Sequence, residues 1–101
     1  MVLEDGPFRP ASSPDRRAGA YGARIVITVV ESGRLGLVEG GAARETAPCL
    51  AWCRDRFGRS GPRWFLSVTP SGEALIHFKL MVDALAFLGS WCLLGEELLA
   101  A

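Results

Sequence analysis

The stretch RWFLSVTPSGEALIHFK, residues 63–79, constrains the fold more than any other part of the chain. Two short apolar runs flank the sequence TPSG at residues 69–72. Proline at the second position and glycine at the fourth suit a type I turn, so the stretch predicts a β-hairpin. If Gly72 forms a bulge, Thr69 pairs with Glu73.

That register sorts the side chains of the two predicted strands onto two faces. One face receives six apolar residues, namely Trp64, Leu66, Val68, Ala74, Ile76 and Phe78. A shift of one residue would divide this set between the faces. The turn and the apolar pattern therefore predict the same pairing.

Four further elements are predicted around the hairpin. The β-branched run ARIVITVV, residues 23–30, indicates a strand that stops before Gly33, and residues 33–45 indicate a loop with a short strand. Residues 47–57 predict a helix with Thr46 as N-cap and Gly58 beyond its end. Residues 80–88 predict a buried helix ended by Gly89, followed by a last strand in SWCLL, residues 90–94.

The order β, α, β, β, α, β is typical of the ferredoxin-like two-layer sandwich. The predicted fold class is therefore α+β, a ferredoxin-like βαββαβ sandwich with four antiparallel strands and both helices on one face. Residues 1–22 contain three prolines and three glycines and show no periodic apolar face. They are predicted to be an N-terminal arm, disordered or held by a partner, attached to a single domain over residues 23–101.

The composition limits the classes of function. Eleven basic and eleven acidic residues cancel, whereas a general polyanion binder carries a basic excess. Ten arginines against one lysine, with no Asn or Gln, indicate a G+C-rich genome, bacterial or phage. The N-terminus has no secretory pattern, and the apolar run at residues 80–95 is short for a membrane helix, so we expect a cytoplasmic protein that does not enter a membrane.

Cys49 and Cys53 are four residues apart on the predicted helix, with Cβ atoms about 5–6 Å apart. A disulfide needs about 3.8 Å between these atoms, so an intrahelical bridge would be strained. Adding Cys92 and His77 would complete a zinc set. The hairpin register, however, places His77 on the face opposite the cysteine helix, so we expect buried free thiols, no metal and no cofactor.

No catalytic motif accompanies these residues. The chain has no GxSxG elbow, and its glycine run GLVEGG lacks the lysine of a P-loop. A cysteine nucleophile would need a neighbouring base, for which His77 is the one good candidate. The expectation is a protein that is not an enzyme.

One predicted surface is the sheet face turned away from the helices. It would carry Arg24, Val26, Thr28, Val30, Phe65, Ser67, Leu75 and His77, which is less polar than an exposed sheet face usually is. Either a partner covers this face, or the N-terminal arm or the C-terminal EELLAA folds over it. The predicted partner-binding residues are Arg24, Val26, Val30, Phe65, Leu75 and His77.

The second predicted surface is the arginine-rich loop RDRFGRSGPR, residues 54–63. Its residues Arg54, Arg56, Arg59 and Arg63 could hold phosphate or nucleic acid. The alternative is a solvated helix end, where cations offset the negative pole of the helix dipole. An RNA-recognition motif is not indicated, because EALIHFK lacks the ordered glycine and aromatics of that motif.

These patterns together favour a small non-enzymatic protein-interaction or assembly module. It would self-associate or dock on a partner protein through the open sheet face, as a phage accessory or structural component would. The alternative is a nucleic-acid- or phosphate-binding accessory protein that uses the loop arginines.

Overall fold

The computed structural model describes residues 1–11, 13 and 19–100, with side chains as far as residue 91. The fold is α+β, and its main sheet has four antiparallel strands. In chain order the elements are β1 (Val2–Phe8), β2 (Tyr21–Ile27), α1 (Val29–Arg34), β3 (Val38–Glu39), β4 (Ala42–Ala43), α2 (Pro48–Phe57), β5 (Trp64–Val68), β6 (Ala74–Phe78) and α3 (Met81–Ala100).

The strand order in the main sheet is β1-β2-β6-β5, while β3 and β4 form a separate two-stranded sheet. One face of the main sheet, the inner face, packs against α2 and α3. The core between them includes Ile25, Ile27, Trp64, Ile76 and Phe78 from the strands and Cys49, Leu50, Cys53, Ala84 and Phe87 from the helices. The opposite face of the sheet is called the outer face below.

The hairpin prediction is confirmed in its register. Trp64 pairs with Phe78, and the pairing continues in step to the turn. The Thr69 N–H donates to the carbonyl oxygen of Glu73 over 2.9 Å. Gly72 has φ +93°, in the left-handed region that favours glycine.

The helix predicted at residues 47–57 is also confirmed, as α2. Its N-cap is Ala47, without a side-chain hydrogen bond, and not Thr46. Pro48 occupies the first turn. Backbone N–H groups in the first turn have no acceptor within the helix, so the lack of an N–H in proline costs no hydrogen bond there. Gly58 ends the helix with φ +86°.

The strand predicted at residues 23–30 ends earlier, at Ile27. Thr28 acts as the N-cap of α1, since its side-chain oxygen accepts a hydrogen bond from the Glu31 N–H over 3.3 Å. Val29 and Val30 are therefore helical despite their β-branched side chains. The cap outweighs their modest preference for a strand.

The strand predicted at residues 90–94 is wrong, because α3 continues through this segment to Ala100. A glycine inside a helix costs only about 1 kcal/mol relative to alanine. Gly89 therefore does not end α3, whose side chains pack against the core on both sides of it, with Phe87 before and Trp91 after.

The sheet position expected for that last strand belongs instead to β1. The arm predicted over residues 1–22 is thus corrected at Val2–Phe8, which pair antiparallel with β2 from Val2 opposite Val26 to Phe8 opposite Tyr21. The register shifts between Asp5 and Phe8. Residues 12 and 14–18 of the predicted arm lie outside the described residues.

Ser32 joins α1 to the ends of two strands. Its hydroxyl donates to the Ile27 carbonyl oxygen over 3.0 Å and accepts from the Ala74 N–H over 2.9 Å. The side chain is fully buried, so its loss leaves a donor and an acceptor unsatisfied. We expect Ser32→Ala to lower the free energy of unfolding by about 2 kcal/mol.

Urea denaturation followed by circular dichroism would measure this loss. The exposed Ser71 in the hairpin turn provides the control, because Ser71→Ala should change stability by less than about 0.5 kcal/mol. Equal unfolding midpoints for Ser32→Ala and the wild type would contradict the structural role of Ser32.

Candidate interaction surfaces

The outer face of the sheet carries two neighbouring rows of side chains that run across the strands. One row is apolar for most of its length and consists of Val2, Val26, Leu75 and Ser67. The other row consists of Glu4, Arg24, His77 and Phe65. We call them the valine row and the histidine row.

The histidine row is covered at its aromatic end. Phe65 and His77 are each only 1% exposed. Their rings stack with centroids 4.5 Å apart and planes 9° apart. Tyr21 packs edge-on against Phe65 at 4.9 Å, and Phe8 lies edge-on to His77 at 6.3 Å. N-terminal residues therefore cover this end of the outer face.

Tyr21 is held over the outer face by its hydroxyl group, which donates to the carbonyl oxygen of Gly61 over 2.6 Å. Lys79 contacts the same ring, with Nζ 5.7 Å from its centroid. A buried tyrosine whose hydroxyl has an acceptor stabilises the contact through both its ring and its polar end.

Burial lowers the pKa of His77 below the usual value for histidine. Desolvation, and to a smaller extent the positive charge of Arg24, lower the pKa of His77 from 6.5 to about 4. Among the described residues, no group forms a hydrogen bond with the buried Nδ1 of His77. The imidazole is therefore neutral at pH 7 and is held by ring packing.

Arg24 is itself engaged on both sides of its guanidinium group. Its Nε donates to Glu4 Oε1 over 2.7 Å, and the guanidinium carbon lies 4.2 Å from the centroid of the Phe8 ring. Both partners belong to β1. The N-terminal strand thus holds the guanidinium group in place on the outer face.

The valine row is more open than the histidine row. Val2 is 58% exposed, and Val26 and Leu75 are half-buried. Val30, predicted to share this face, is 79% exposed but belongs to α1 beyond the end of β2. Of the predicted partner-binding residues, Val26 and Leu75 are therefore accessible on the sheet, while Phe65 and His77 are buried.

The four loop arginines do not converge on one patch. Arg63 forms a two-pronged ion pair with the buried carboxylate of Asp83, over 2.8 and 3.1 Å. The guanidinium of Arg56 lies 4.8 Å from the ring centroid of Trp52. Arg54 and Arg59, in contrast, line one cleft.

This cleft lies between α2 and the edge strand β5 and has a volume of about 250 Å³. Its lining consists of Glu45, Leu50, Arg54, Arg59, Ser60, Trp64 and Leu66. Arg54 is positioned by a hydrogen bond from Nη1 to the Glu45 carbonyl oxygen over 2.8 Å. We call this site the arginine cleft.

Cys49 and Cys53 are free thiols on the inner face of the sheet, and both are fully buried. Burial raises the pKa of Cys49 to about 11 and that of Cys53 to about 12, so both thiols are protonated at neutral pH. His77 lies on the outer face, away from them. The described side chains contain no group of three potential metal ligands, and Cys92 lies outside that range.

Sequence reasoning missed three residues that shape the outer face, namely Glu4, Phe8 and Tyr21. The alternation of Tyr21, Ala23, Ile25 and Ile27 indicates that the strand begins at Tyr21, but it would place Tyr21 on the inner face with the other three and not against Phe65. Glu4 and Phe8 carried no signal, since Gly6 and Pro7 interrupt the pattern between them.

No helix in the described part of the chain is long and apolar enough to span a membrane. Comparison with protein-family models, with curated proteins and with solved structures finds no match to this chain.

Proposed function

We propose that the protein is a small non-enzymatic protein-interaction or assembly module that self-associates, or docks on a partner protein, through the outer face of its sheet. The valine row is the observation that carries this proposal. Three apolar side chains, those of Val2, Val26 and Leu75, lie side by side on three adjacent strands, and Val2 is more than half exposed. A contiguous apolar patch on a sheet is typical of a contact surface.

The chemistry of the reactive side chains supports a non-enzymatic function. His77 is buried and neutral, and the two described thiols are buried and protonated at neutral pH. A nucleophile or a general base must reach its substrate, and these groups do not reach the surface. Association is the function that the exposed features support best, and it would suit a phage accessory or structural component.

Nucleic-acid binding by the loop arginines is the second candidate, and it has less support. Arg63 is neutralised by Asp83, and Arg56 lies on Trp52. A nucleic acid is usually bound along a continuous basic surface, which these four separated side chains do not provide. We therefore expect little retention on immobilised DNA or RNA at low salt. Retention that falls steeply as the salt concentration rises would support this second candidate instead.

The test of the proposal is a charge placed in the valine row. We expect the wild type to sediment as a multiple of 10.8 kDa, and Val26→Glu to weaken this association at least about 10-fold, because a buried unpaired carboxylate is costly. Sedimentation equilibrium at several protein concentrations measures both masses. Circular dichroism checks that the variant is folded.

Val82→Glu is the matched control, since Val82 is a 65% exposed valine on α3, away from the outer face. Its mass should equal that of the wild type. If Val26→Glu associates like the wild type, the valine row is not the interface. A wild type that is monomeric at every concentration would contradict self-association, and the same pair of variants would then be compared as baits for a partner protein.

A further inference from the structure

The arginine cleft combines an apolar floor with a cationic rim. Leu50 and Trp64 are each 1% exposed and form its deepest part, and Leu66 adds a half-buried side chain. The cleft exists because β5 is the last strand of the sheet, so α2 does not cover the whole width of the inner face there. An apolar floor of this kind favours the apolar part of a ligand.

Trp64 lines the cleft, but its indole N–H is not available to a ligand. Its indole Nε1–H donates to the Gly58 carbonyl oxygen over 2.8 Å, which satisfies its one polar group and fixes the ring. The floor is therefore rigid. Because Trp64 and Leu50 are almost fully buried, the apolar contact with a ligand falls mainly on the half-buried Leu66. Hydrogen bonds to a ligand must come from the rim.

The rim carries an excess of positive charge. Arg54 and Arg59 oppose a single acidic residue, Glu45. Arg54 uses one N–H for the Glu45 carbonyl oxygen and keeps its other donors, while Arg59 forms no ion pair or hydrogen bond with any part of the chain that the structure describes. A guanidinium group with unused donors binds carboxylate and phosphate oxygens by charge-assisted hydrogen bonds.

We propose that the arginine cleft binds a small organic anion, with a carboxylate or phosphate head between Arg54 and Arg59 and an apolar body against Leu66, beside the buried Trp64. The volume of about 250 Å³ lies just below the usual range for drug-sized ligands, so the ligand is small. Ser60, on the rim, provides a hydroxyl group for the same head. This site is separate from the valine row, which lies on the other face of the sheet.

Four probes separate the contributions of head and body. Benzoate and phenyl phosphate carry both, inorganic phosphate carries the head alone, and benzyl alcohol carries the body alone. Titrations are followed by the NMR resonance of the Trp64 indole N–H, with the indole resonances of Trp52 and Trp91 as internal references. We expect benzoate or phenyl phosphate to shift the Trp64 resonance with a Kd of about 1 mM or lower.

Arg59→Ala should raise that Kd at least about 10-fold, because it removes a charge-assisted contact. Arg56→Ala is the matched control, since it removes an exposed arginine of the last turn of α2 that lies on Trp52, outside the cleft. Its Kd should equal that of the wild type. Both residues are exposed, so neither substitution disturbs the core.

The proposal is overturned if neither acidic probe shifts the Trp64 resonance, or if Arg59→Ala binds them as well as the wild type. Inorganic phosphate binding as tightly as phenyl phosphate would show a simple anion site and remove the apolar body from the proposal. Benzyl alcohol binding as tightly as benzoate would remove the anionic head. Whichever acidic probe binds more tightly identifies the head group that the cleft selects.

Discussion

Removing residues 1–9 should lower the free energy of unfolding by about 4 kcal/mol, a large part of the 5–15 kcal/mol typical of a small domain. The deletion takes away β1, and with it the partly buried Leu3, which packs against the core, and Phe8, which covers His77. It also removes the hydrogen-bond partners of the backbone groups of β2 that pair with β1. Urea denaturation of both proteins, followed by circular dichroism, measures the difference.

Gly6→Ala tests the same pairing with a single methyl group and should also lower the free energy of unfolding. A Cβ atom at Gly6 would lie 2.5 Å from the carbonyl oxygen of Tyr21, so β1 and β2 would have to move apart. Asp5→Ser, at an exposed position of the same strand, should change the stability by less than about 0.5 kcal/mol. If the truncated chain unfolds at the wild-type urea concentration, β1 adds no stability, and residues 1–9 behave as part of the arm predicted from composition.

Acidification from pH 6.5 to pH 4 should remove up to about 3 kcal/mol of stability through His77 alone. The folded protein binds a proton on His77 only near pH 4, because burial first and Arg24 second oppose the charged form. The unfolded chain takes up this proton near pH 6.5. Between these values the unfolded state binds more protons, so stability falls as the pH falls, and the full contribution is present above pH 6.5.

His77→Phe isolates this effect. The substitution keeps a ring against Phe65 and removes a nitrogen, Nδ1, that lacks a hydrogen-bond partner within the described structure, so the variant should fold. Carboxylates titrate in both proteins, and the difference between their stability profiles therefore reports His77. Parallel profiles between pH 7.5 and pH 4 would show that His77 is solvated and not buried as described.

The centre of the sheet could be predicted from sequence because local signals and the apolar pattern agree there. The turn at 69–72 sets the register of β5 and β6, and the six-residue apolar face requires the same register. Pro48 and Gly58 mark the two ends of α2 in the same way. Where two independent signals coincide, the competing arrangements become costly.

The edges of the fold could not be predicted because tertiary contacts decide them. The segment of β1 contains Glu4, Asp5 and Pro7, which disfavour a strand by propensity but are tolerated, and even protective, at a sheet edge. Gly89 lies in α3 because packing of the helix outweighs its low helix propensity. In both places a local preference is smaller than the burial that opposes it.

The candidate sites also contain one part that local patterns predict and another that contacts between distant residues decide. The hairpin register places Leu75 on the outer face, and the alternation along β2 places Val26 beside it, as the structure has them. The partners that cover or neutralise other residues lie far away in the chain. Asp83 pairs with Arg63 from α3, and Tyr21 reaches Phe65 from β2, and no local pattern indicates either contact.

The antiparallel pairing of β2 with β6 has a consequence for the order in which the protein can fold during its synthesis. Ile27 pairs with Ala74, so the central pair of the sheet joins segments that leave the ribosome seconds apart at about 5–20 residues per second. Until β6 emerges, Ile25 and Ile27 lack their native partner strand, and β1 alone gives them only a marginally stable pairing. Contacts of such large sequence separation form slowly, so the topology predicts an interval in which chaperone binding or aggregation competes with folding.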